Sequence, residues 1–292
     1  MIINFTYDSS VASAPVGFTA TLNNIASFFQ STFSDAVTIN IAVGYGEVNG
    51  QALPSNALGE SLTYLNSVTY TQIASALAAD AKSTDDHSVV ASLPATNPTG
   101  GAYWVASAEA KALQLPWAGN ALDGAVGFSN IQSIFDFDNS NGVTAGQYDF
   151  FGVVAHEVTE VMGRQLLVGQ TVGNVANGFE PMDLLHFAAA GTRTFSGGQA
   201  GYFSPDNGTT NLDNFNTNSG GDFGDWASTA GADAFLAFST SGVVAPITQN
   251  DIRVMDALGW DVSSSVDTTA PLLSSTSPAD NSTNVATGAN LV

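Results

Sequence analysis

The stretch that decides the fold runs from Asp149 to Arg164 and reads DFFGVVAHEVTEVMGR. Its apolar residues recur at the three- and four-residue spacing of an α-helix, so the stretch predicts a helix over 149–164. His156 and Glu160 are four residues apart, which places them one turn apart on the same side of that helix. Two side chains in this arrangement can bind one metal ion from a single helix.

The residue after the histidine extends this pattern. Glu157 is offset by about 100° around the helix, from where it can reach a metal-activated water and act as general base. This is the logic of the His-Glu-x-x-His zinc helix, except that Glu160 stands at the second ligand position. A carboxylate is a competent zinc ligand, although it weakens the Lewis acidity of the metal. The alternative is a solvated polar helix face with three titratable residues.

The charge balance excludes several classes of partner. The chain of 292 residues has 5 Lys and Arg against 26 Asp and Glu, for a net charge of -21. Such a field repels phosphate backbones and anionic lipids, so we expect no nucleic-acid partner, and it favours bound cations such as Ca²⁺. Only 11% of the residues are charged, which leaves a surface of Ser, Thr, Asn, Gln and Gly. That composition favours a secreted protein, extracellular or at the cell surface.

The absence of cysteine limits the metal chemistry. The chain has no disulfides or thiolate sites, so a transition metal must be held by His, Asp, Glu or water. No stretch reaches the roughly 20 apolar residues that span a bilayer, so membrane insertion is not expected. The N-terminal sequence lacks the basic region and cleavage site of a signal peptide, so an export signal is expected outside this sequence.

Periodicity predicts an α+β fold with a loop-rich second half. In the first half, strands are expected at 2–7, 37–43 and 124–128, and a short strand at 134–137. Helices are expected at 18–33 and 71–82 in the first half. A further helix is expected at 249–261, near the end of the predicted domain. These elements predict a twisted mixed sheet backed by helices, with the 149–164 helix at the edge of a cleft. Residues 165–245 are rich in Gly, Asn, Thr and Ser and predict loops and short strands.

The region around the helix resembles a known group of enzymes. The run from Asp136 to Glu157, DFDNSNGVTAGQYDFFGVVAHE, resembles secreted bacterial metalloproteases that are distantly similar to metzincins such as the serralysins. The resemblance continues at 181–187, 201–204, 211–217, 247–251 and 255–261, and so covers most of residues 2–262. It implies a metzincin-like or zincin-like domain that acts as a zinc endopeptidase on proteins or peptides.

The third metal ligand departs from the serralysin pattern. Gly163 matches the glycine of His-Glu-x-x-His-x-x-Gly-x-x-His, but Leu166 stands where the third histidine belongs. The group that this chain resembles instead uses a distant histidine before a tryptophan. The matching stretch here places Asp225 before Trp226. The resemblance therefore implies Asp225 as third ligand, with His186, the only downstream imidazole, as the alternative.

Three further features have a functional and a structural interpretation. Met182 could form the methionine turn of a metzincin or simply pack in the core. Asp183 is a further candidate ligand or a turn cap. An acidic loop carries oxygens at alternate residues, as calcium loops do, or else caps the following helix; its residues are Asp136, Asp138 and Ser140.

Residues 1–262 are therefore predicted to form a metalloprotease-like domain. Residues 263–292 are rich in Ser, Thr and Pro and resemble a linker and the start of a bacterial immunoglobulin-like repeat, with further repeats in the full-length chain. The predicted function is a zinc endopeptidase in which a metal-activated water attacks the peptide bond and Glu157 is the general base. The alternative is a catalytically weak or inactive metal- or calcium-binding module of an extracellular adhesin-like protein.

Overall fold

The computed structural model describes residues 1–263. The predicted linker and immunoglobulin-like start at 263–292 therefore lie outside the described residues, apart from Ser263. The helices of the described chain are α1 (Phe18–Thr32), α2 (Tyr70–Asp80), α3 (Thr84–Ser92), α4 (Ser107–Ala112), α5 (Phe150–Val161) and α6 (Gln249–Ala257). None of these helices is long and apolar enough to cross a membrane.

The strands are short and belong to several small sheets. They are β1 (Ile2–Tyr7), β2 (Thr38–Tyr45), β3 (Glu47–Val48), β4 (Gln51–Ala52), β5 (Gly59–Thr63), β6 (Leu65–Val68), β7 (Ala102–Ala106), β8 (Gly124–Phe128), β9 (Phe135–Asp136), β10 (Tyr148–Asp149), β11 (Gly178–Phe179), β12 (His186–Ala189), β13 (Thr192–Arg193), β14 (Tyr202–Phe203) and β15 (Asp213–Asn214). The fold is therefore mixed α+β, as the periodicity predicts.

The sheet that positions the site has the order β1-β2-β8-β5. Strands β1, β2 and β8 are parallel, and β5 is antiparallel to β8 at the edge of the sheet. Helices α1 and α5 pack together on a fully buried aromatic cluster that includes Phe18, Phe128 and Phe150, whose ring centroids are 5.1 to 5.8 Å apart. Burial of such large apolar side chains is the main stabilising contribution to a domain of this size.

The predicted helices and strands are present; the strands at 2–7 and 124–128 have the predicted bounds, and the other elements have shifted ends. The predicted helix at 71–82 is α2, which starts earlier because Thr69 forms a capping box with Gln72. The predicted helix at 249–261 is α6, which ends at Ala257. Gly259 then has a positive φ of 97°, a conformation in which the chain leaves the helix.

The predicted loop-rich half is also present. Between residues 165 and 245 the described chain has only the two- to four-residue strands β11 to β15 and short 3-10 turns. Strands β12 to β15 form one antiparallel sheet in the order β13-β12-β14-β15. This half supplies the loop around Asp225 to the site.

Candidate metal centre

Helix α5 is held at both ends by local hydrogen bonds. At its start, the Asp149 carboxylate accepts from the Phe151 amide at 3.1 Å. At its end, the Gly163 amide donates to the Glu160 carbonyl at 2.9 Å and the Arg164 amide to the Thr159 carbonyl at 3.0 Å. These two bonds, with the φ of 107° at Gly163, form a Schellman motif. The motif therefore ends the helix shortly after Glu160, and His156 and Glu160 lie on the same side of it.

Three ligand-type side chains converge beside this helix. One ligand atom each of His156, Glu160 and Asp225 lie within 4.8 Å of one another. His156 Nε2 is 3.5 Å from Glu160 Oε1 and 3.3 Å from Asp225 Oδ1. Two ligands of a tetrahedral zinc ion, each bonded at about 2.0–2.1 Å, lie about 3.3–3.4 Å apart. The spacing and the donor set of one nitrogen and two carboxylates therefore fit a zinc-sized ion.

The orientation of the histidine ring also fits a metal ligand. The Nδ1 atom of His156 lies 2.9 Å from the carbonyl oxygen of Ala234. Because this oxygen can only accept a hydrogen bond, Nδ1 must carry the proton. In the neutral ring this leaves the lone pair of Nε2 facing the two carboxylates. Burial opposes protonation of the ring, but the charge of Asp225 and the contacts of the ring with Asp225 and Glu160 together outweigh it and raise the pKa of His156 well above its usual value. A metal ion at Nε2 would take the place of that proton.

Asp225 is fixed in a loop that α6 supports. Its carbonyl accepts from the Asn216 amide at 2.8 Å, and the Trp226 amide donates to the Phe235 carbonyl at 2.8 Å. The buried indole of Trp226 donates to Asp251 of α6 at 2.9 Å. The loop therefore has a defined position although it belongs to no long strand or helix.

Arg164 is a part of the site that the sequence analysis missed. Its side chain is fully buried and donates to Asp225 Oδ1 at 2.8 Å, while Nη2 lies 3.6 Å from Glu160 Oε1. Its Nε donates to the Thr159 hydroxyl at 3.0 Å, and its guanidinium lies 4.2 Å from the ring centroid of Phe235. Arg164 compensates one of the two carboxylate charges, so the group has a net charge of about -1 when the imidazole is neutral.

His156, Glu160 and Asp225 line an open cleft of about 820 Å³. Strand β5 forms one wall and contributes Ser61, whose hydroxyl donates to Glu160 Oε2 at 2.8 Å. The lining also includes Asp222 and the exposed ring of Phe238. Burial, followed by the charges of Glu160 and Asp225, raises the pKa of Asp222 to about 6.

Glu157 lines the same cleft. Its carboxylate lies against Gly59 of β5, where a Cβ atom would come within 2.6 Å of Glu157 Oε1. Within residues 1–263, this carboxylate has neither a hydrogen bond nor an ion pair, which leaves its oxygens available to a molecule in the cleft. Burial and, after it, the charge of Glu160 raise the pKa of Glu157 well above its usual value.

The alternative third ligand lies elsewhere. His186 is in β12, packed edge-on against Phe215 at 4.8 Å between ring centroids, and is not part of the converging group. Burial lowers its pKa to about 4. The structure therefore brings Asp225, and not His186, to the two helix ligands.

The other candidate residues have structural contacts. Asp183 accepts from the amides of Leu167, Val168 and Glu180, which identifies it as a turn cap. Met182 is fully buried in the core. These contacts agree with the structural interpretation of both residues.

The carboxylates of the acidic loop accept hydrogen bonds from other residues of the same loop. Asp136 accepts from the amides of Asp138 and Thr144, and Asp138 accepts from Ser140. Asn139 of the same loop donates to Asp149, the N-cap of α5. These bonds correspond to a helix-capping loop. Among residues 1–263, the group of three described above is the one cluster of three or more ligand-type side chains that could hold a metal.

Comparison with known proteins identifies no relative. The chain matches no protein-family model, no curated protein and no solved structure. The resemblance to secreted metalloproteases therefore stays a prediction from sequence motifs, and the case for a function rests on the geometry of the site.

Proposed function

We propose that this chain is a metal-dependent hydrolase, with zinc as its metal and peptide bonds as its substrate. The observation that carries the proposal is the convergence of His156, Glu160 and Asp225 in a cleft that Glu157 also lines. The zinc-compatible spacing of their ligand atoms and the hydrogen bond that orients His156 add support. Candidate metal ligands, a carboxylate with no partner within residues 1–263 and an accessible cleft are the parts that a zinc hydrolase needs.

The roles of the residues follow from their positions. His156, Glu160 and Asp225 would hold the ion, which when bound supplies Lewis acidity to a water and to the scissile carbonyl. Glu157 would accept a proton from the attacking water and then pass it to the leaving amine. Arg164 would hold Asp225 in place through its buried ion pair. Within residues 1–263, Glu157 has no side-chain partner that would compete for the oxygens that this proton transfer uses.

The surroundings of the cleft support a polypeptide substrate. The cleft is lined by Glu60 and Asp222 as well as by the exposed aromatic ring of Phe238. Such walls favour an extended chain with basic and apolar side chains. A zincin-like fold, with the antiparallel edge strand β5 beside α5, and a location outside the cell are parts of the same proposal. The few charged residues on the chain support that location.

The proposal is tested by a single isosteric change at the proposed general base. We expect Glu157→Gln to lower kcat/KM for casein or a fluorogenic peptide by about 10²–10⁴-fold, the usual contribution of general acid–base catalysis. Zinc content, measured by elemental analysis on the same samples, should stay at the wild-type level. Asp138→Asn, in the exposed capping loop, is the matched control and should leave both quantities unchanged. Equal cleavage by wild type and Glu157→Gln would overturn the mechanism.

A second candidate function is supported by Arg164. Its ion pairs with Asp225 and Glu160 compensate charge at the site without any metal, as expected in a module that no longer catalyses. In that case the chain would be a metal- or calcium-binding module of an extracellular adhesin-like protein. Stoichiometric zinc without any cleavage that depends on Glu157 would favour this function over the enzyme.

A further inference from the structure

A second cavity adjoins the cleft and extends past the proposed metal site. It has a volume of about 290 Å³. Four residues line both the cleft and this side cavity: Glu160, Gln165, Gly221 and Asp222. Because Glu160 is one of the proposed metal ligands, a group that enters the side cavity lies next to the metal site. The side cavity is therefore placed to receive one side chain of a polypeptide in the cleft, and this inference rests on the proposed peptide substrate.

Two chain segments form the walls of the side cavity. One is the chain that leaves α5, with Leu166 and Leu167, and the other is the loop that carries the third proposed ligand, with Phe223. These segments pack closely, since a Cβ atom added at Gly224 would lie 2.9 Å from the Leu166 amide nitrogen. The ring of Phe223 lies against Gly197, where an added Cβ atom would come within 2.6 Å of the ring. The two segments therefore give the cavity apolar wall surface in a defined position.

Asp222 lines both cavities, and hydrogen bonds fix its backbone. Its carbonyl accepts from Asn216 Nδ2 at 3.0 Å and from the Asp225 amide at 3.4 Å. Asn216 is buried, and its Nδ2 also donates to the Asn218 carbonyl at 2.9 Å, which closes the loop around the amide group. The side chain of Asp222 is exposed. The loop therefore holds an accessible carboxylate at a fixed place beside the metal site.

No basic side chain of the chain pairs with Asp222. All five Lys and Arg residues of the sequence lie within residues 1–263 and have other partners. Lys82 pairs with Asp261, Lys111 with Asp123, Arg164 with Asp225 and Arg253 with Asp85, while Arg193 donates to backbone carbonyls. The other acidic residue of the side cavity, Glu160, is a proposed metal ligand and accepts from Ser61. Asp222 is therefore the carboxylate of this cavity that is left for a ligand.

We propose that the side cavity binds a lysine or arginine side chain of the polypeptide in the cleft, and that Asp222 is the residue that selects it. The apolar walls at Leu166, Leu167 and Phe223 would cover the aliphatic stem of the basic residue, and the Asp222 carboxylate would pair with its charged head. The same carboxylate repels an acidic side chain, so it provides specificity in both directions. The net charge of -21 also attracts basic polypeptides to the chain.

The test compares the binding of matched, otherwise neutral peptides that carry one Lys, norleucine or Glu. Fluorescence anisotropy measures their binding to the zinc-reconstituted 292-residue chain with Glu157→Gln, which keeps the peptides intact. At about pH 8 Asp222 is ionised, because its pKa is about 6. We expect the Lys peptide to bind about 10-fold more tightly than the norleucine peptide, and the Glu peptide to bind more weakly than both. Asp222→Asn, which keeps the shape of the side chain, should remove the preference for Lys and leave the affinity for norleucine unchanged.

Glu60→Gln is the matched control, because Glu60 lines the cleft but not the side cavity. It should keep the preference for Lys over norleucine. An equal loss of preference in this variant, no preference for Lys before any change at Asp222, or a preference that survives Asp222→Asn would overturn the proposal.

Cleavage of the same peptides by the chain with its native Glu157 separates this inference from the proposed hydrolase function. Cleavage without any preference for Lys would overturn the role of the side cavity and leave the hydrolase standing. Lys-selective binding that Asp222→Asn abolishes, together with no cleavage, would support the side cavity and overturn the hydrolase.

Discussion

Two groups of buried carboxylates in the described chain differ in their partners. In the first group, Asp225 and Glu160 contact Arg164 and His156. In the second group, Glu109 and Glu180 have no hydrogen-bond partner within the described residues. The first group also lines a cleft, whereas the second has no exposed surface. Burial alone therefore does not identify the role of a carboxylate, whereas its partners and its access to solvent do.

The largest change in stability should come from removal of Arg164, the internal cation of the first group. We expect Arg164→Ala to lower the free energy of unfolding by about 3–5 kcal/mol, because it leaves buried carboxylates without compensation. Saturating zinc should restore part of this loss, because the ion supplies the missing positive charge. Urea unfolding with and without zinc measures both quantities.

The matched control for Arg164 is a partly exposed ion pair. Arg253 pairs with Asp85 and retains 33% of its side-chain exposure, so we expect Arg253→Ala to lower the free energy of unfolding by only about 0.2–1 kcal/mol. Zinc should not change that value. If the two Arg variants lost equal stability, the first group would not depend on an internal cation.

A smaller effect is expected at the glycine that contacts the second group. Gly163→Ala should lower the free energy of unfolding by about 1–3 kcal/mol from backbone strain at a positive φ, with a further loss from contact with Glu109. Gly142→Ala is the matched control, because Gly142 has a φ of 90° and no neighbour within 4 Å of the added Cβ. Urea unfolding of both variants isolates the contribution of the contact.

A double-mutant cycle then assigns this contribution to Glu109. Placing Gly163→Ala in a Glu109→Ala background should bring its effect closer to that of Gly142→Ala, since the change removes the Glu109 carboxylate and leaves only its Cβ atom, 3.0 Å from the added Cβ. Strictly additive effects would contradict the close approach of Glu109 to the end of α5.

The sequence predicts the helix part of the site well, for a physical reason. His156, Glu157 and Glu160 belong to one strongly periodic helix, and their mutual placement follows from its 3.6-residue turn. The helix ends earlier than the predicted residue 164, because Gly163 adopts a positive φ. Asp225 is 65 residues from Glu160, in a stretch without periodicity, and only the resemblance to metalloproteases indicated it. No local pattern predicts the position of such a loop.

Residues whose role depends on tertiary contacts were not predicted. Arg164 was interpreted only as the end of the helix, because a long charged side chain usually extends into water. The Ala234 carbonyl that orients His156 is a backbone atom and has no signature in the sequence. Glu109 and Glu180 have apolar neighbours in the sequence, and that was the only signal that they are buried.

Several regular elements were missed for a related reason. Strands β5 and β6 and helix α3 consist largely of polar and small residues, which do not produce a clear apolar period. Strand β5 is part of the main sheet because it pairs with the apolar strand β8. The wall of the cleft was therefore not predictable from local sequence, whereas the helix that carries His156 and Glu160 was.

The central claim is that His156, Glu160 and Asp225 together bind one metal ion. The most direct test is the zinc content of the purified chain after reconstitution and dialysis, compared with His156→Ala, Glu160→Ala and Asp225→Ala. We predict about one zinc per wild-type chain and almost none in each variant, because zinc sites of this type use three protein ligands. A chain that binds no zinc, or an Asp225→Ala variant that keeps the wild-type amount, would contradict the account.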